Sequence, residues 1–338
     1  MFKPAAIKST FPSSAAALFA LALSCLSLLP APASAAVGFR WLSMPDGQDA
    51  AVEVAMWYPT DAAAQPTQVG PLTRTVALNA PLRGGRLPLI VISHGNGGNA
   101  VGHADTAEAL AEAGFVVAAL THTGDNVKDQ SRAADVANRP RQLSLLISYM
   151  IATWADAVDP ARIGAFGFSA GGYTVLAAAG GRPDLNRIGP HCAAHPEFYD
   201  CRLIAAHLPD GGLPRAIAPP RITPDARIRA IVAAAPALGF AFADDGLAAV
   251  RVPVQLWRAE DDEILPHPYY AEAVRLALPQ PPETHVVPHA RHFDFLVPCS
   301  AILEKTAPQI CQSEEGFDRS TFHQRFDAEI VAFFRKTL

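Results

Sequence analysis

Apolar positions along this chain fall into short buried-type runs separated by stretches with helical spacing. Residues 52–58 alternate as an early strand expected to stop at Pro59. Residues 89–93 read as a short buried strand after the Arg83-Gly84-Gly85-Arg86 turn. Helical spacing over 105–113 ends at Gly114, a natural C-terminal stop, and residues 115–120 form the next strand. A helix over 140–154 follows, and Asp159-Pro160 then turns into a strand at 163–168. An alanine-rich helix is expected at 170–179. Further strands are expected at 228–234, 254–257 and 284–287, and an amphipathic helix over 321–336 closes the chain. This alternation predicts an α/β fold, with a mostly parallel central sheet and helices on both faces.

Two segments break the rhythm. Near the start, Lys3 and Lys8 precede an apolar run of about 15 residues, and Ala33-Ser34-Ala35 has the A-x-A form of a signal-peptidase site. Residues 1–35 are therefore expected to be a signal peptide cleaved after Ala35, leaving a single domain over 36–338. The run is shorter than the roughly 20 residues a spanning helix needs, so no stable membrane anchor is expected. A lipoprotein attached at Cys25 is the weaker alternative, because Leu23 stands one place from where a lipobox would have it. The second irregular segment, residues 181–226, holds eight prolines and four glycines and lacks periodicity. It is read as an insertion over the active edge of the sheet, a cap shaping the pocket, with a non-catalytic surface excursion as the alternative.

Composition narrows the class further. Without Lys3 and Lys8 the chain keeps 25 of its 27 basic residues against 32 acidic ones, a net of −7. Such a balance excludes electrostatic binding of nucleic acid or an anionic membrane. Four cysteines remain beyond the leader: Cys192, Cys201, Cys299 and Cys311. An even number in an exported chain favours disulfides and a periplasmic or secreted location. Of the three pairings, the local one (Cys192–Cys201 with Cys299–Cys311) is the simplest. A metal site would need spacing of the CxxC kind, which is absent.

Candidate chemistry centres on Gly167-Phe168-Ser169-Ala170-Gly171, followed by Gly172. A serine on a tight strand-to-helix turn needs small neighbours on both sides, and the predicted strand and helix flank it as required. His94-Gly95-Asn96-Gly97-Gly98 directly follows another strand. Backbone N–H groups there and after the serine would face a carbonyl oxygen that gains negative charge, so Asn96 and Ala170 are the expected oxyanion donors, with Gly95 in reserve. His94 is read as a brace for its loop. The serine needs a base, and His292, just beyond the last predicted strand, is best placed, ahead of His289 and His285. The acid is expected after the strand at 254–257, where Asp262 leads Asp261 and Glu260. Asp244 and Asp245 offer another acid position after the preceding strand.

With these residues assembled, the chain resembles the dienelactone-hydrolase-like and platelet-activating-factor-acetylhydrolase-like branch of the α/β hydrolases. Met56-Trp57-Tyr58-Pro59, residues 87–95, residues 163–173 and His292-Phe293-Asp294-Phe295-Leu296 carry the likeness. The resemblance implies a metal-free serine esterase or related acyl hydrolase acting on a small-molecule ester without a cofactor. Two departures qualify it. Dienelactone hydrolase uses a cysteine nucleophile where this chain has Ser169. The acetylhydrolases place their acid after the strand that here ends Ala233-Ala234-Ala235-Pro236, with no acid. An amidase, a peptidase, a polyester hydrolase or a non-catalytic binding protein of the same fold are the alternatives.

Overall fold

The computed structural model describes residues 1–6, 8, 36–207 and 221–338. Its contacts divide the chain into Met1–Ala33 and Ser34–Leu338, and everything below concerns the second unit. The expected signal peptide and its cleavage site lie outside the described residues except for 1–6 and 8, and residues 208–220 of the insertion also lie outside them.

Among the described residues ten strands form one sheet: β1 (Ala36–Met44), β2 (Val52–Thr60), β3 (Gln65–Val69), β4 (Leu72–Leu78), β5 (Leu87–Ser93), β6 (Val116–Leu120), β7 (Val158–Phe168), β8 (Ile228–Ala234), β9 (Val254–Ala259) and β10 (Glu283–Val287). Their order is β10-β9-β8-β7-β5-β6-β2-β1-β4-β3. From β10 to β6 every pair is parallel; β6–β2, β2–β1 and β4–β3 are antiparallel. The expected α/β-hydrolase fold, mostly parallel at its centre, is therefore present.

Both faces of the central strands are buried, which is why those strands read as continuous apolar runs. Leu89 and Val91 pack with Leu143, Leu146 and Tyr173 on one face, under α2 (Asn138–Thr153) and α3 (Ala170–Ala178). Ile90 and Ile92 point the other way and pack with Leu110, Phe326 and Phe334 of α1 (Ala104–Glu112) and α8 (Arg319–Thr337).

Several expectations need correction. β2 runs through Pro59 to Thr60, because β6 pairs only with residues 54–57 and nothing on that side needs an N–H from Pro59. β7 starts at Val158, before Asp159-Pro160, and a register shift against β5 absorbs that dipeptide. Strands β1, β3 and β4 and helices α6 (Ala271–Ala277) and α7 (Ala301–Thr306) lie where the apolar pattern predicts no element. The β3–β4 hairpin is polar (Gln65-Pro66-Thr67-Gln68 against Thr73-Arg74-Thr75) and turns on Gly70, whose φ is +58°.

Candidate active site

The loops that carry the candidate residues all leave the C-terminal ends of neighbouring parallel strands, the edge where open α/β sheets bind ligands. β5 ends at Ser93 and leads into the His94–Gly98 loop; β7 leads to Ser169, β9 to Asp262 and β10 to His292. Register fixes the lateral spacing, since Ser93 lies opposite Gly167 and Gly167 opposite Ala233.

Ser169 sits at φ 55°, ψ −117°, a left-handed conformation that a non-glycine residue adopts only under constraint. The constraint is steric. A Cβ on Gly167 would lie 2.0 Å from the carbonyl oxygen of Gly171, and one on Gly171 would lie 1.9 Å from that of Ser93. The turn is locked by Ser169 N donating to Ala234 O at 2.9 Å. Its side chain is thereby presented to His292, whose Nε2 is 3.1 Å from Ser169 Oγ. His292 Nδ1 donates to Asp262 Oδ2 at 2.8 Å, because a carboxylate can only accept. That assignment leaves Nε2 free to accept the serine proton. Asp262 Oδ1 meanwhile accepts from the amides of Ile264 and Leu265 at 3.0 and 2.7 Å, which fixes the carboxylate plane. All three side chains are buried.

The structure thus brings Ser169, His292 and Asp262 together and leaves the reserves aside. Asp261 is exposed with His289 at 3.8 Å, His285 stacks on Trp257 at 4.0 Å, Glu260 accepts from the His289 amide, and exposed Asp244 pairs with half-buried Arg187.

Asn96 and Ala170 line the same cavity as the serine. Ala170 opens α3, where an amide has no intrahelical acceptor. Gly95 packs so tightly that an added Cβ would lie 3.2 Å from Ser169 Cβ, which brings the backbone of Asn96 beside the nucleophile turn. The side chain of Asn96 holds that loop: its Nδ2 donates to Asp125 Oδ1 at 2.7 Å, as does the Gly97 amide at 2.9 Å. Asp125 is paired with the buried guanidinium of Arg139. The same guanidinium donates to the carbonyl of His94 and, through Nε, to Thr174 Oγ1 at 3.1 Å. One arginine on α2 therefore ties the oxyanion loop to the helix behind the nucleophile. His94 is the expected brace. Its Nε2 accepts from the His122 amide at 3.0 Å, and burial, aided by nearby Arg139, holds its pKa well below the usual value. Arg139 and Asp125 were missed because neither stands in a motif; their pairing spans 14 residues of loop and helix.

The described part of the insertion covers this edge. It forms α4 (Ile188–Ala194) and α5 (Tyr199–His207), tied by the Cys192–Cys201 disulfide. Tyr199 Oη donates to Asn96 Oδ1 at 2.6 Å, and Tyr270 Oη donates to Asp200 Oδ1 at 2.9 Å. Between the insertion and Ser169 lies a cavity of about 170 Å³, bounded by Asn96, Ala170, Leu185, Ile188, Leu203 and Leu265 among others. A second cavity, about 290 Å³, lies across Asn96 against Phe168, Phe293 and Leu296.

The His292 loop is braced from behind. Asp294 accepts from the Arg291 amide at 2.7 Å and from Arg319 Nε at 3.0 Å. Arg319 also donates to Ile310 O at 2.8 Å, inside the loop closed by the second disulfide, Cys299–Cys311. His323 donates to the Asp294 carbonyl at 2.8 Å and contacts Asp105 at 2.6 Å. Burial opposes a charge on His323, yet Asp105 outweighs it and the pKa rises. Both cysteine pairs adopt the simplest expected connectivity, so none of the four is a free thiolate ligand for a metal.

Residues 102–191 match the model of the prolyl oligopeptidase family, a stretch that holds Ser169 but neither Asp262 nor His292. No curated protein matches the chain. Among solved structures, a ferulic acid esterase from Streptomyces cinnamoneus is similar, with a TM-score of 0.62 at 19% identity, over 91% of this chain and 92% of that one. Neither likeness singles out the dienelactone-hydrolase-like branch. By its sheet order and the structural likeness, the chain has the α/β-hydrolase fold.

Proposed function

We propose that the protein is a serine hydrolase that cleaves carboxylic esters through Ser169, His292 and Asp262. The observation that carries this reading is the unbroken hydrogen-bonded relay from Ser169 Oγ through His292 to Asp262 at the C-terminal edge of the sheet. In the first step His292 Nε2 takes the serine proton as Oγ attacks the ester carbonyl. The negative charge gathers on the carbonyl oxygen, within reach of the Ala170 and Asn96 amides. His292 returns the proton to the leaving alcohol, and an acyl group remains on Ser169. Water, deprotonated by His292, then releases the acid. Asp262 keeps the imidazole in the tautomer this sequence needs and offsets its transient charge.

An ester is favoured over a peptide by the full-length likeness to an esterase, whereas the peptidase likeness covers only residues 102–191. That partial match keeps a peptidase as the second reading. Comparing p-nitrophenyl esters with the matching p-nitroanilides separates the two. The ester reading expects hydrolysis of the esters and loss of at least about 10⁴-fold in kcat on Ser169→Ala. Cleavage of anilides at comparable rates would replace it with the peptidase reading, and equal activity of wild type and mutant would end both.

The same proposal places the enzyme outside the cytoplasm, with residues 1–35 removed as a signal peptide. Two disulfides suit an oxidising compartment. N-terminal sequencing of exported protein should read Ala36-Val37-Gly38.

A further inference from the structure

The two cavities lie on either side of Asn96 and only the smaller is lined by Ser169, so their placement assigns the two halves of the ester. The leaving oxygen must receive its proton from His292 Nε2, so the alcohol lies on the histidine side. The larger cavity is on that side, walled by Phe293 next to His292 and by Phe168, whose ring is 4.8 Å from the imidazole. The smaller cavity is bounded by Ser169 and Ala170 themselves and runs under the insertion, where the acyl group must go.

Its walls are aliphatic, chiefly Ile188, Leu203, Ile204, Leu238 and Leu265. Of the polar groups on its margin, Tyr199 Oη is bound to Asn96 and Asp200 Oδ1 accepts from Tyr270 Oη and from the Cys201 amide, which leaves Asp200 Oδ2 as the one buried oxygen there without a partner among the described residues. No cationic side chain lines it among the described residues, so an anionic acyl group finds no counter-charge and meets Asp200 instead. Size sets the other limit. An aliphatic cavity of about 150 Å³ holds one benzene molecule, and this one measures about 170 Å³. The disulfide Cys192–Cys201 and the Tyr199–Asn96 bond fix the roof, so the cavity is formed before substrate arrives.

We infer that this cavity is an acyl-binding site for uncharged, apolar acyl groups of medium size, a straight chain of about six carbons or a single benzoyl ring. The inference rests on the esterase reading for its substrates but is tested apart from it. Alkyl- and arylboronic acids form a tetrahedral adduct on the serine, and their single carbon substituent must take the place of the acyl chain, whatever the enzyme turns over.

Two series on the mature protein decide the matter: inhibition by n-alkylboronic acids from methyl to nonyl with phenyl- and 4-carboxyphenylboronic acid, and hydrolysis of p-nitrophenyl esters from acetate to palmitate. Each methylene that enters the cavity should tighten binding about fourfold, so pentylboronic acid should exceed methylboronic acid on the order of 100-fold. Nonyl should bind no better than pentyl, and 4-carboxyphenyl should bind more weakly than phenyl. Leu203→Trp should bring the pentyl-to-methyl ratio down at least about tenfold, by filling the space of roughly two methylenes. Boronates that follow this pattern while every ester stays intact would uphold the cavity and refute the esterase reading. Esters hydrolysed with a flat boronate series, or with affinity still rising at nonyl, would refute the cavity assignment and leave the esterase reading standing.

Discussion

Single residues here act through the atoms they leave no room for. Gly171 cannot carry a side chain because Ser93 O stands where its Cβ would be, and this close approach makes room for the tight turn in which Ser169 takes its strained backbone conformation. Asp262 is held by two loop amides as well as by His292, so replacing it with asparagine should preserve the position while destroying the acceptor pair. Asp262→Asn is expected to lower kcat by about 10⁴-fold with little change in KM, measured on p-nitrophenyl butyrate. Asp125 has a different task. It neutralises the buried Arg139 and holds both the Asn96 side chain and the Gly97 amide. Asp125→Ala strands that guanidinium, and should cost about 3–5 kcal/mol in urea unfolding. It should also loosen the oxyanion loop, so kcat on the same ester falls even where the protein remains folded. Only His292, Asp262 and Ser169 among these could be picked from motif and chain order; Asp125 and Arg139 meet only after folding.

Among the elements, the insertion is the one whose role depends most on its attachments. α4 and α5 are short and are held by the Cys192–Cys201 link, by Tyr199 on the oxyanion loop and by Asp200 on Tyr270. A crosslink closing so small a loop is worth about 2–3 kcal/mol by the chain-entropy model. The double variant Cys192→Ser/Cys201→Ser should therefore become sensitive to limited proteolysis within 188–207 before the sheet unfolds. Proline and glycine content marked this segment as irregular, but its short helices carry too few residues for a periodic signal. The β3–β4 hairpin escaped notice for a related reason: its exposed residues are polar, and strand character there comes from pairing at the sheet edge.

Over the whole molecule, buried histidines couple stability to pH. His103 is packed between Phe166 and Phe168, and burial depresses its pKa to about 4 against an ordinary 6.5. A depressed histidine stabilises the fold fully above pH 6.5, and that contribution drains away as pH falls toward 4, because the unfolded chain binds the proton first. Burial pushes His94 and His122 in the same direction, whereas the raised pKa of His323 favours the fold below pH 6.5 and is lost on the alkaline side. The variant His103→Phe keeps the ring packing and removes the titration. Between pH 7.5 and 5, wild type should lose about 2 kcal/mol relative to this variant. Urea midpoints at both pH values measure it, and an unchanged difference between the two proteins would refute the assignment.

The sequence by itself determined the parallel core, the serine turn and the chain order of serine, acid and histidine. Those features rest on local rules: short continuous apolar runs between helical stretches, glycine where a Cβ would collide, and loops that follow strand ends. The choice of Asp262 over Asp261 and Glu260 was also legible in outline, and the fold sharpened it by turning the other two outward. Tertiary structure alone decided what surrounds the triad. The Arg139–Asp125 pair, the Asp294–Arg319–His323 brace and the aliphatic acyl cavity each join residues of different elements and loops. Such contacts leave no periodicity or spacing behind, because the energy that selects them is the burial of charge and volume in the folded state, and only the folded state has a buried interior.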